Sequence, residues 1–244
     1  RRAVYRMSLR IKFNLILVAF FALSLLGAGI YYHRYLEDTA LGEVRHNSQM
    51  LMATVMAIRG YTTEQIKPRL DPLNAQRFHP QTVPAFAATD TLRRLQDQYP
   101  GYTYKEAVLN PTNPRDRATS WEAELIEQFR NGYTGEELTG IHGEGLDSSV
   151  FVARPITITQ PGCLVCHSTP DVAPATMIEV YGDQNGFDWQ LNETVGIQLV
   201  KVPILYPLEK ARQTFRKFMA SLITVFGVLF GGLNLALTGL VIQP

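Results

Sequence analysis

Cysteine is nearly absent: the 244 residues hold two, Cys163 and Cys166, three positions apart. A secreted disulfide framework needs more pairs at wider spacing and is excluded by this count. An excess of charge of one sign is also missing. Lys and Arg number 23 against 22 Asp and Glu, for a formal net charge of +1. No dense basic face stands outside the flanks of the apolar stretches, so nucleic acid is not an expected partner. Internal repeats and low-complexity tracts are lacking. The length suits one ordinary domain plus membrane segments and is too small for two large domains. The sequence starts at Arg1 rather than Met, so its natural start need not be included.

Charge is wholly absent from two long runs, 13–32 and 218–242, where Asn14 and Asn234 are among the few polar residues. A helix needs about 20 apolar residues to cross a bilayer, and both runs meet that length. Core helices of soluble proteins rarely run so far without a charge. A cleaved signal peptide would end in small residues, whereas this run ends in Ile30-Tyr31-Tyr32. The lipid bilayer is therefore the first expected partner. Arg1, Arg2, Arg6, Arg10 and Lys12 precede the first run and should hold that end in the cytoplasm, which places 33–217 on the exported side. Arg212, Arg216 and Lys217, just before the second run, pull the other way. The expected layout is a basic cytoplasmic N-terminus (1–12), a transmembrane helix (13–32), an exported domain (33–217), a second transmembrane helix (218–242) and the start of a linker (243–244).

Between the spans, Leu41, Val44, Leu51, Val55 and Ile58 recur at three- and four-residue spacings, which predicts a long helix over 33–66 that continues out of the membrane. Residues 67–84 read as a loop punctuated by Pro68, Pro72, Pro80 and Pro84. Helices are expected at 85–98 and at 121–130, the latter opened by a Thr119/Glu122 capping box. Strands are expected at 102–109, at 149–159 with Pro155 at an edge or bulge, and at 195–202. The glycine-rich 132–145 reads as irregular, Asn185-Gly186 as a turn, and 207–217 as a short amphipathic helix. The fold class that follows is α+β: an antiparallel sheet with helices against one face, bracketed by two transmembrane helices.

The chemistry lies in Cys163-Leu164-Val165-Cys166-His167. Two thiols separated by two residues can each add to one vinyl group of a haem, and the next residue then supplies the proximal imidazole to the iron. One covalent haem c, held by Cys163, Cys166 and His167, is the expected cofactor. It also settles orientation, because c-type haem is attached on the exported face in bacteria. A redox disulfide would open a helix in a thioredoxin-like setting, and Pro161-Gly162 after a strand is unlike one. Zinc would need four ligands, and neither a second cysteine pair nor a close histidine pair completes them. For the sixth iron position, Met52 borders the apolar stripe of the long helix, with Met56 one turn on and His46 nearly opposite the stripe; His33, His79 and His142 complete the candidates. An empty or water-filled position is the other outcome. Arg59, two turns beyond Met52, and Arg154, on the strand before the motif, are candidates for bridging haem propionates.

Several linked segments resemble a bacterial family of exported PAS-like c-type haem domains. They are Ala57-Ile58-Arg59-Gly60-Tyr61-Thr62, Ala153-Arg154-Pro155, the cysteine motif with Ser168, Ala173-Pro174, Tyr181-Gly182-Asp183-Gln184-Asn185-Gly186-Phe187-Asp188-Trp189 and Val195-Gly196-Ile197-Gln198. The resemblance implies a PAS-like fold. It also implies a role as a stand-alone cyanobacterial cytochrome or as the input end of a membrane histidine kinase, sensing redox state or a small gas. Some similar relatives use a distal cysteine; this chain has no third cysteine to supply one. Leu240-Val241-Ile242-Gln243-Pro244 looks like the start of a HAMP linker, with a cytoplasmic output domain beyond. An electron carrier or bound subunit of a respiratory or photosynthetic complex is the alternative function. No acid/base constellation accompanies the motif, so an enzyme is not expected. The expected location is the bacterial inner or thylakoid membrane, with the haem domain periplasmic or lumenal. Gly227 and Gly231 form a small-residue pair that could pack the two spans or two protomers, and a homodimer or membrane-complex partner follows from the receptor-like layout.

Overall fold

The structure is a computed structural model that describes residues 8–239. Arg1, Arg2 and Arg6 of the basic N-terminus and the linker-like Leu240-Val241-Ile242-Gln243-Pro244 lie outside the described residues. The first apolar run and the predicted exported helix form one element, α1 (Leu9–Tyr61). Its Val44, Ser48, Met52 and Val55 are all buried, and their spacing puts them on a single face. A π-helical turn, Thr62–Ile66, ends α1. The expected loop at 67–84 is instead a string of short helical pieces, α2 (Lys67–Leu70) and two 3-10 turns, each with a proline in its first two positions. Proline fits a first helical turn and cannot continue the preceding one, so every proline both stops and restarts the chain. Then follow α3 (Pro84–Gln96), β1 (Thr103–Val108), α4 (Ser120–Arg130), β2 (Leu138–His142), β3 (Ser149–Thr157), α5 (Leu164–His167), α6 (Ala175–Tyr181), β4 (Thr194–Pro203) and α7 (Leu205–Leu237). The expected amphipathic segment 207–217 and the second apolar run are one helix, α7.

The chain divides into two compact units, one formed by Glu43–Leu205, the other by the chain up to Gly42 and from Tyr206. In the Glu43–Leu205 unit the strands make one antiparallel sheet in the order β1-β4-β3-β2. The α+β class stands. Strand β2 lies inside the glycine-rich segment expected to be irregular. There Gly140 has a packing role: a Cβ on it would come within 2.8 Å of the Phe151 ring on β3. β3 is a central strand, yet β2 stops opposite Ala153, so Pro155 sits where β3 has no neighbour on that side, just before a bulge at Ile156/Thr157. That is how a proline survives there.

Helices cover both faces of the sheet rather than the one expected. On one face Leu125, Ile126 and Phe129 of α4 pack on Ala107, Ala153, Ile197 and Leu199. α4 is opened by the predicted capping box, in which Glu122 accepts the Thr119 N–H at 2.8 Å. Burial alone would push the Glu122 carboxyl up; the Lys105 ammonium, 2.7 Å away, and the Thr119 N–H hold it below its ordinary range instead. The opposite face is covered by α1. Gln49 donates to Glu137, beside edge strand β2, at 2.7 Å, and Arg59 pairs with Glu106 on β1, the other edge. Ten residues of helix rise about 15 Å, and three strand spacings of about 4.8 Å come to nearly the same length. Hence α1 crosses all four strands. Beneath it Glu106, Gln198 and Arg154 are register partners in one polar row, and Arg154 returns to Glu137 at 3.2 Å.

In the second unit, α1 and α7 pack through Phe21 stacked on Phe226 (4.6 Å) and Tyr32 against Phe218 (4.1 Å). Both helices are long and apolar enough to cross a membrane, and the most apolar window of each is unburied. A pair of core helices would bury these windows, and neither is buried here. Nothing lies within 4 Å of where a Cβ on Gly227 or Gly231 would stand. The two glycines therefore do not pack the spans together.

Candidate functional site

The predicted motif sits just past the end of β3. Pro161–Cys163 form a 3-10 turn and Leu164–His167 one α-helical turn. This winding puts the side chains of Cys163, Cys166 and His167 on the same short element. Both thiols are free and half-buried. Cys163 and Leu164 pack with Trp189 on the cluster Val108, Ile158 and Val195. Cys166 packs on the cluster Phe78, Ala173, Met177 and Phe187.

His167 is held from several sides. Its Nδ1 lies 2.8 Å from the Gly186 carbonyl oxygen. A carbonyl only accepts, so Nδ1 carries the proton and Nε2 keeps its lone pair. Its ring stacks on Trp189 at 3.9 Å and 14°. Its carbonyl accepts the Trp189 N–H at 3.1 Å, and the Asp188 N–H bonds the Ser168 carbonyl at 2.7 Å. Burial pushes the imidazole below its ordinary pKa, and the Gly186 bond offsets only part of this. The result is a neutral ring whose free nitrogen is suited to a metal.

The loop that supplies these contacts needs Gly186. Its φ is +86°, and an added Cβ would stand 2.1 Å from Thr112 Oγ1 and 2.8 Å from the Thr112 backbone. Gly186→Ala is expected to cost about 2–4 kcal/mol through strain and clash and to pull the carbonyl from His167. Thermal unfolding of the full chain checks the cost, and an unchanged midpoint would refute it.

The other expected residues are dispersed. Met52 is fully buried in the α1 face on the sheet, whereas Met56 is 38% exposed and His46 is also exposed. His33 lies in the other unit, paired with Glu37. His79 Nδ1 faces Asn74 Oδ1 at 3.3 Å, and His142 stacks on Trp121. Arg59 and Arg154 each hold a carboxylate of this chain, Glu106 and Glu137. A propionate at either would have to share or displace that partner. Sequence reasoning missed what surrounds the motif: the Gly186 carbonyl, the Trp189 stack, and Phe78 and Met177 against Cys166. One of only two tryptophans, 22 positions beyond His167, was the available signal. Phe78 and Met177 gave none.

The alternatives to haem weaken on the same geometry. Burial pushes the Cys166 thiol up, opposite to the depressed thiol of a redox-active pair. Among the described residues no group of three or more His, Cys, Asp or Glu is placed to hold a metal ion, so zinc lacks ligands.

Residues 37–203 match the Tll0287-like family. The chain belongs to the Tll0287-like family. A solved structure, that of the cyanobacterial heme-protein Tll0287, is similar at 19% identity and a TM-score of 0.44, over 68% of this chain and 91% of that one. No curated protein matches.

Proposed function

We propose that this member of the Tll0287-like family is a membrane-anchored c-type cytochrome domain that senses redox state or a small gaseous ligand. One observation carries the reading: two free thiols and an imidazole on two directly consecutive helical turns, with His167 Nδ1 committed to the Gly186 carbonyl and Nε2 free. The family takes its name from a heme-protein, which supports the same cofactor. Cys163 and Cys166 would hold one haem through thioether bonds, with His167 Nε2 as iron ligand. Once bound, the haem would supply one-electron chemistry and an iron able to take a further ligand. The chain's own part is to orient and tune. The Gly186 carbonyl fixes the His167 tautomer and raises its basicity as a ligand, Trp189 blocks ring rotation, and burial keeps the ring neutral. No catalytic activity is proposed.

Sensing is supported by α1, because the helix lying across the sheet also contains the first apolar run. In this reading the domain lies on the periplasmic or lumenal side, and the open glycine face of α7 is left for a second protomer or a membrane complex. Electron transfer is the second reading, favoured by the sealed α1–sheet contact, where Ser48, Met52 and Val55 have 0% exposure. A ligand-gated helix would be packed more loosely.

Absorption and magnetic-dichroism spectra of both redox states, with and without carbon monoxide, separate the two. Ready binding of the gas by the ferrous form is the expected result, and a low-spin spectrum indifferent to the gas would leave the carrier. For the distal position Met52 is our candidate, with Met56 and His46 as alternates. Met52→Leu removes the sulfur at nearly constant volume, at a cost below about 1.5 kcal/mol. A changed ferric spectrum is expected, and an unaltered one eliminates Met52.

A further inference from the structure

We infer that a cleft in the two-helix unit is a binding site for an anionic phospholipid. The cleft is a wide, open groove of about 680 Å³ along the two helices, a shape that suits a lipid lying against the protein rather than a ligand enclosed by it. Its walls are apolar: Ala22, Leu26, Gly29 and Ile30 on α1, and Phe215 and Met219 on α7. Gly29 faces the Met219 thioether across the cleft, where an added Cβ would stand in ordinary van der Waals contact at 3.5–3.6 Å. His33 and Arg34 stand at the mouth. They are the first residues past the uncharged run 13–32, so in a spanning helix they reach headgroup depth. Leu26 and Arg34 are eight positions apart, about 12 Å along the axis, which is room for the upper part of an acyl chain below a phosphate.

Charge selects the occupant. His33 is edge-on to Phe215 at 5.2 Å and takes up Glu37 at 3.3 Å. Among the described residues Arg34 has no ion pair. Arg212, three residues before Phe215 and so on the same side of α7, adds positive charge and also lacks an ion pair among the described residues. A quinone head is neutral and would leave Arg34 without a counterion. A second copy of this chain would bring a second Arg34. Free phosphate would not fill an apolar cleft. A phosphodiester with an acyl chain satisfies both the guanidinium and the walls.

The inference rests on reading the two helices as membrane spans. The test uses the full chain in mild detergent, titrated with dioleoyl phosphatidylglycerol or dioleoyl phosphatidylcholine and read by native mass spectrometry. Retention of phosphatidylglycerol about fivefold stronger than phosphatidylcholine is expected. Arg34→Gln should abolish the preference, Arg34→Lys should keep most of it, and Leu26→Trp should lower retention of both lipids by filling the cleft. Equal retention of the two lipids, a preference indifferent to Arg34→Gln, or a quinone or second copy retained in the cleft would overturn the site. An alkaline carbonate wash of membranes tests the span reading separately: release of the chain sinks that reading, whereas an integral chain without lipid preference sinks only the site.

Discussion

Chain carrying both Cys163→Ala and Cys166→Ala should give no haem stain on a denaturing gel and should lose all its colour to acid–acetone. Half-buried Cys163 ends the 3-10 turn that leads directly into the α-helical turn of half-buried Cys166 and His167, and no other cysteine exists to replace them. With both gone, only the His167 bond and packing against Trp189 and the Phe78–Met177 cluster would remain, and denaturation removes these. Each single substitution leaves one thioether, so staining should persist at reduced yield. Stain surviving in the double variant would end the c-type reading. Haem bound without a stain in the wild type would end it as well while leaving iron ligation by His167 intact.

Arg59→Met should destabilise the folded chain by about 3–5 kcal/mol, the usual cost of leaving one member of a buried ion pair alone. Glu106 is 5% exposed, pairs with Arg59, and accepts the Tyr104 hydroxyl at 2.6 Å. Burial disfavours the Arg59 cation, but Glu106 more than offsets this and its pKa is raised; burial and Glu106 also push Tyr104 well above its ordinary value. Such a network orders three side chains at the point where α1 reaches β1. Loss of Arg59 strands the Glu106 carboxylate, and the thermal midpoint of the full chain should fall by roughly 6–20 °C. Adding Glu106→Gln should restore most of the loss, because the orphaned charge is the main cost. Additive losses in the double variant would show that Arg59 acts through packing alone.

Much of this was legible in residue order. The thiol–thiol–imidazole spacing, the two uncharged runs, the Thr119/Glu122 cap and the stripe on α1 are local signals, set by helical period and by the chemistry of single side chains. β2 was not legible, because its glycine-rich segment has little strand preference and is formed by pairing with β3. The second helical layer was not legible either. A stripe shows that a helix face is buried and not against what, and only the chain's return through β4 creates the surface that α1 covers. The same limit applies at the site. By itself the sequence determined the two thiols, the imidazole and the two apolar helices, since each depends on neighbours a few positions away. The tertiary structure alone decided that the Gly186 carbonyl fixes the His167 tautomer, that Trp189 stacks on its ring, and that Arg59 and Arg154 are already engaged by Glu106 and Glu137. Those contacts join residues 17 to 47 positions apart, and no periodicity in a chain encodes which distant groups meet when the sheet closes.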